Sequence, residues 1–250
     1  MNSFALARPI AFVLCVVAGF EALLLAVLLA ARLWFPDLPL SALDSPLLLV
    51  QAVFTAGIII ALGWWKKTGF GAMPTAHDLG FALLPLAVLV LPTIALGVEL
   101  PTGARGLMLG LMVLLIAFHE EGIFRGVIVQ ALAPLGYVQA AAGSAILFGL
   151  IHFNSLLVGR NVDFVIAQVV ASVLGGFGLA AMRLRMKSIW PLVGLHAIND
   201  FFQFSVTGGL GAAEVGSLLV YAKVGLSLII GLYGIYLLRP SAQQPVASVP

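Results

Sequence analysis

The chain predicts an all-α polytopic membrane protein of about eight transmembrane helices, with both termini in the cytoplasm. Three observations lead there. Hydrophobic residues make up 62% of the 250 and charged residues only 9%, whereas a soluble domain carries roughly 25% charged residues. Mean hydropathy is +1.16. The apolar residues fall in runs of about 20, the length that crosses a bilayer core. This composition sets aside the soluble enzyme classes. A net charge of +2 with no basic block gives no reason to expect nucleic acid as a partner. The expected partners are membrane lipid and a membrane-associated protein or peptide. Cys15 is the only cysteine, so neither an intrachain disulfide nor a cysteine metal site is expected. It reads as a small apolar residue within a span.

The first run, Ile10 to Trp34, is too long for a signal-peptide core and reads as a retained helix. It carries Glu21, an acid that needs a partner on a neighbouring helix. The second, Pro46 to Trp65, ends in Trp64-Trp65-Lys66-Lys67, an aromatic and basic anchor at a cytoplasmic interface. His77 falls in the next loop, and Asp78 is expected to cap the third run, Leu79 to Val98. Pro85 and Pro92 predict a kink there. The fourth run extends from Gly106 to Ala133. The fifth begins near Val138. The sixth, Phe164 to Met182, contains Gly175, Gly176 and Gly178, which permit close helix approach. The seventh opens at Ser188, a suitable cap, with Pro191 in its first turn. The eighth is Val215 to Leu238, and the Pro-rich tail from Pro240 to Pro250 is expected to be disordered.

Loop charges set the orientation. With the N-terminus inside, Arg8, Lys66, Lys67, Arg183, Arg185, Lys187 and Arg239 lie on the inner side. Arg32, Arg105 and Arg160 lie on the outer side. This asymmetry places both termini in the cytoplasm and requires an even number of spans. A prokaryotic plasma membrane is the expected location.

Charged residues inside lipid-spanning helices are costly, and they usually mark function. The fourth run carries His119, Glu120, Glu121 and Arg125 where a lipid-facing helix would carry Leu, Val or Ile. Glu121 and Arg125 are four apart and share a helix face. Glu120 is turned away from Glu121 and is available to other helices. His152 lies on the fifth run, and His196, Asn199 and Asp200 lie on the seventh. Each alone reads as a packing residue or a structural ion pair. Together they are more than packing needs, because interhelical polar bonds in membranes average only about 0.6 kcal/mol. His119-Glu120 resembles the start of a zincin motif, but position 123 is Ile, so His119 reads as a packing or supporting residue. Ser144 lies about two turns before His152, so a serine–histidine pair on one turn is not expected.

Glu120-Glu121-x-x-x-Arg125, Phe148-x-x-x-His152 and His196-x-x-x-Asp200 resemble the three signatures of the CPBP (Abi) intramembrane proteases. These are the CAAX-type and bacteriocin-processing enzymes related to the type II CAAX prenyl endopeptidase. The resemblance divides the chain into N-terminal transmembrane helices over 1–104, a catalytic core over 105–205, and a C-terminal helix with its tail over 206–250. Many relatives carry Asn where this chain has Asp200, with Asn199 one residue out of register.

The resemblance implies a CAAX-type intramembrane endopeptidase of glutamate or metallo type, with Glu120, Glu121, His152, His196 and Asp200 catalytic and Arg125, Phe148 and Asn199 supporting. Glu120 and His152 would hold and deprotonate water. Glu121 would orient His152 or pair with Arg125, and His196 would donate to the oxyanion. Glu120, His152 and His196 also match the ligand set of a catalytic zinc with one open position, so a divalent metal and a metal-free site both stand as expectations. For His152 and His196 to meet, the fifth helix should begin later, near Gly143, or tilt. The competing readings are an inactive scaffold or immunity protein using the same pocket, and a small proton-coupled transporter using Glu21, Glu120, Glu121 and Lys223. Visible internal repeats would favour the transporter, and none is seen.

Overall fold

A computed structural model describes residues 2–39, 43–95, 99–157, 159–207 and 217–240. All described regular structure is helical: α1 (Asn2–Ala7), α2 (Pro9–Trp34), α3 (Asp44–Leu62), α4 (Ala76–Ala95), α5 (Gly103–Glu120), a π-helix (Glu121–Ile128), α6 (Val129–Leu132), α7 (Tyr137–Ile151), α8 (Val162–Arg183), α9 (Trp190–Thr207) and α10 (Ser217–Leu237). Short 3₁₀ turns follow α6 and α7. Each apolar run read from the sequence therefore folds as a helix. Among the described residues, four helical stretches are long and apolar enough to cross a membrane: Pro9–Trp34, Ser45–Leu62, Gly103–Leu135 and Val162–Arg183. Residues 241–250 of the tail, and 96–98 and 215–216 of the third and eighth runs, lie outside the described residues.

The core sits around the fourth run. Ile123, Phe124, Val127 and Ile128 are fully buried and pack with residues of α2, α3, α7 and α9. Small residues allow this packing. A Cβ at Gly122 would stand 2.6 Å from Thr55 Cγ2 of α3. The glycines of the sixth run behave as expected. Gly175 faces Ser227, Gly178 meets the backbone of Ile230, and Gly234 of α10 returns the contact, with its Cβ position 2.7 Å from Gly178 Cα. These pairs rise together in number, so α8 and α10 run parallel.

Several boundaries differ from the expectation. α3 stops at Leu62 because Gly63 adopts φ +67°, the left-handed conformation that ends many helices. Trp65 to Lys67 therefore fold as turns beyond the helix. α7 begins at Tyr137, not near Gly143. It ends at Ile151, so His152 opens a 3₁₀ turn beyond the helix. Asp78 is not the cap of α4. Thr75 Oγ1 accepts from Asp78 N at 3.2 Å, while Asp78 Oδ2 accepts from Thr75 N at 2.9 Å, the reciprocal pattern of a capping box. Ser188 does cap α9, accepting from Trp190 N at 3.3 Å.

A polar clasp fixes the first turn of α9. Arg183 donates to the carbonyls of Thr68, Met186 and Lys67 at 3.2, 2.7 and 3.0 Å. Lys187 N donates to Asp78 Oδ1 at 2.9 Å, and Trp190 Nε1 donates to Phe70 O at 3.2 Å. Gly69, at φ +91°, leaves room for the Arg183 guanidinium and the Lys187 carbonyl. Burial acts to raise the Asp78 carboxyl. Hydrogen bonds from the Thr75 and Lys187 backbone and from the Thr75 hydroxyl, with His77 beside them, outweigh this and hold it below its ordinary value.

Candidate active site

The site forms where α5 gives way to the π-helix. Glu120 is the last residue of α5, and Glu121 is the first of the wider π turn. Single π turns inside α-helices occur frequently at functional sites. Glu121 and Arg125 are both fully buried, and Arg125 Nη1 stands 3.2 Å from Glu121 Oε1. The guanidinium also lies over the Phe148 ring at 4.1 Å, a desolvated cation–π contact. Gly176 of α8 leaves room for it, since a Cβ there would be 3.1 Å from Arg125 Nη2.

His196 joins the acids. Its Nδ1 is 2.7 Å from Glu121 Oε1, and its Nε2 is 3.3 Å from Glu120 Oε2 and 3.5 Å from Asp200 Oδ2. Asp200 follows one turn later on α9, and its Oδ1 accepts from Asn199 Nδ2 at 3.1 Å. Two helices therefore bring three carboxylates and one imidazole together.

His152 also contacts Phe148. The Phe148 ring centroid is 4.9 Å from that of His152 and 6.2 Å from that of His196, in edge-on contact with each. His152 Nδ1 is 2.7 Å from Phe148 O. A carbonyl only accepts, so Nδ1 carries the proton and Nε2 presents a lone pair in the neutral ring. That Nε2 faces Ser172 Oγ of α8 at 3.4 Å. Among the described residues, no hydrogen bond or ion pair joins Glu120 to His152. Glu120 meets His196 instead, and Glu121 meets His196 and Arg125 rather than His152.

Two supporting contacts reach the site from the N-terminal helices. Asn154, two residues after His152, donates to Glu21 Oε2 of α2 at 2.6 Å. Glu21 thus has the partner on a neighbouring element that its position demanded. His119 is buried, its ring centroid 5.8 Å from that of Phe20, and its ring nitrogens make no hydrogen bond among the described residues.

Sequence reasoning missed Ser172, Asn154 and Gln203, and it used Lys223 only in the transporter alternative. Lys223 Nζ donates to Gln203 Oε1 at 2.7 Å. It lies within electrostatic reach of Asp200, Glu120 and His152. A lone lysine in an apolar run was the available signal. Gln203 lies seven residues after His196 and so on the same face of α9. Ser144, weighed as a partner for His152, instead donates to Phe124 O at 2.8 Å.

Among the described residues, no three His, Cys, Asp or Glu side chains stand together as a set that could hold a metal ion. Glu120, His152 and His196 are not gathered as such a set among the described residues.

Residues 102–202 match the family model described as type II CAAX prenyl endopeptidase Rce1-like. No curated protein and no solved structure matches the chain.

Proposed function

We propose that this chain, whose residues 102–202 form an Rce1-like domain of the CAAX protease family, is a multi-pass intramembrane endopeptidase. Its substrates are membrane-associated proteins or peptides, of the prenylated CAAX or bacteriocin type. About eight spans with both termini in the cytoplasm of a prokaryote fit the loop charges. The observation that carries the reading is His196, whose two nitrogens face Glu121 and the Glu120–Asp200 pair at 2.7, 3.3 and 3.5 Å.

The chemistry is written on side chains alone. Glu120 and the Nε2 lone pair of His152 hold a water beside Phe148. The water attacks the scissile carbonyl carbon and its proton passes to the Glu120 carboxylate. His196 Nε2–H donates to the oxyanion, and Glu121 fixes the ring from the Nδ1 side. The C–N bond then breaks, and the proton held by Glu120 passes to the departing amine. Asp200 keeps Nε2 of His196 directed into the site. Apo separations are often long and tighten around substrate.

The test is cleavage of a membrane-anchored reporter by purified protein in proteoliposomes. Glu120→Ala and His152→Ala should each lose at least about 100-fold in rate, the range of general acid–base catalysis. Equal cleavage by all three proteins would refute the assignment.

One contact favours a second reading. Ser172 Oγ is 3.4 Å from His152 Nε2, near the range for a nucleophile and its base. In that case Ser172→Ala would abolish cleavage, and a serine-directed phosphonate would label the protein covalently. On the first reading Ser172→Ala remains active and no label forms.

A further inference from the structure

Glu21 is an acid in an apolar helix, and the chemistry above does not use it. It lies outside residues 102–202, the part of the chain that matches the family model. Its Oε2 accepts from Asn154 Nδ2 at 2.6 Å, and its Oε1 is buried with no hydrogen-bond partner among the described residues. An ionisable group inside a membrane segment is costly and by default marks function. What Glu21 holds is a side chain two residues beyond His152.

The residue before Glu21 reaches the other half of the site. Phe20 packs on His119, their ring centroids 5.8 Å apart, and His119 directly precedes Glu120. Two consecutive residues of α2 therefore touch the helix that carries Glu120 and the turn that opens with His152. Among the described residues, no hydrogen bond or ion pair joins Glu120 to His152 directly. On its far side the turn is pinned to α8, where Ser155 Oγ donates to Gln168 Oε1 at 3.3 Å. The attachment to α2 is the one that leads back to Glu120, through Phe20 and His119.

Building on the endopeptidase reading, we infer that Glu21 is a positioning residue. Through Asn154 it sets the turn of His152 at the separation from Glu120 at which both side chains can hold one water. The requirement is geometric. Two groups on different elements must both come within hydrogen-bond reach of a single oxygen, and a misplacement of about 1 Å can cost about 100-fold in rate. Glu21 touches neither the water nor the peptide and acts only through the turn.

The experiment separates positioning from mere support. Reporter cleavage in proteoliposomes is measured as kcat and KM. In the same membranes the ring nitrogens of His152 are followed by solid-state NMR of protein carrying isotopically labelled histidine. The His152 signals are those lost in His152→Ala. Glu21→Leu should lower kcat at least about tenfold, leave KM within about twofold, and move or split the His152 signals. Asn154→Asp sets two carboxyls face to face and should do the same. Adding Glu21→Gln to Asn154→Asp exchanges the acid and the amide. The exchanged pair can bond again, so it should recover most of the lost kcat and the original His152 signals.

Unchanged kcat and unchanged His152 signals in Glu21→Leu would overturn the inference. Failure of the exchange to recover either readout would overturn it as well, even if Glu21→Leu did not fold. A change confined to KM would also sink it, because that would assign Glu21 to substrate binding. If the unaltered protein cleaves and Glu21→Leu matches it, this role falls and the protease reading stands. If the unaltered protein does not cleave, the protease reading falls, and the His152 signals still decide whether Glu21 positions that ring.

Discussion

One oxygen of Glu121 lies 2.7 Å from His196 Nδ1, and Arg125 reaches the same oxygen at 3.2 Å. A single buried carboxylate thus orients the imidazole and neutralises the guanidinium. Glu121→Ala would leave Arg125 buried without its counter-ion, and breaking a buried pair in this way costs about 3–5 kcal/mol. The expected result is a large fall in thermal unfolding temperature in detergent, together with loss of cleavage. Glu121→Gln keeps an acceptor for His196, so it should retain more activity than Ala while still unfolding earlier than wild type.

The seat of Gly122 on α3 gives a test with built-in rescue. Gly122→Ala places a methyl 2.6 Å from Thr55 Cγ2, and such overpacking costs about 1–3 kcal/mol. Thr55→Ser deletes that methyl and keeps the hydroxyl. The double variant should recover much of the stability lost in Gly122→Ala, and a thermal-shift double-mutant cycle measures the coupling. Additive losses would show that the contact is not the cause.

Asp78 predicts a pH dependence. Its carboxyl is held below its ordinary value in the folded protein, so its stabilisation is complete above the unfolded value, about 3.9. It is lost as pH falls through the lower folded value. Asp78→Asn should therefore unfold earlier than wild type at pH 7, and the gap should close in acid. Unfolding temperatures measured from pH 7 down to pH 3 would show this. A gap that widened in acid would contradict the hydrogen-bonding role.

His119 sits beside Glu120, yet its nitrogens make no hydrogen bond among the described residues. His119→Leu removes a buried polar ring and keeps the packing against Phe20. Cleavage should stay within a few-fold of wild type and stability should be equal or higher. A loss comparable to that of Glu120→Ala would place His119 in the chemistry.

The donor arrangement also predicts the effect of chelators. Among the described residues, no three His, Cys, Asp or Glu side chains are gathered to hold an ion. Reporter cleavage should persist after dialysis against 1,10-phenanthroline, and added zinc should not raise it. Loss on chelation with recovery on zinc would require the two imidazoles to converge.

Much of this was readable from residues alone. Hydropathy located the long helical runs though not α1, the i, i+4 spacing gave the Glu121–Arg125 pair, and the family resemblance singled out His196 and Asp200. The π turn after Glu120 was not readable, because an i→i+5 ladder leaves no mark in an apolar pattern. Glu121, at its start, meets His196 and not His152. Ser172 was invisible for another reason: only the packing of α7 on α8 puts it beside His152. The capping box is legible as Thr75-x-x-Asp78, in which Thr75 rather than Asp78 holds the cap position. For Lys223 the sequence displayed the charge and withheld the neighbour.

The bond from Glu21 to Asn154 bears on how this protein can be divided. It ties the first long helix to the turn that begins at His152, and Thr55 props the other signature helix from α3. Residues 105–205 hold the residues of the proposed chemistry, but they borrow their rigidity from the stretch before them. An excised fragment would keep the motifs and lose the scaffold that aims them, so inherited sequence and mechanical independence part company in this chain.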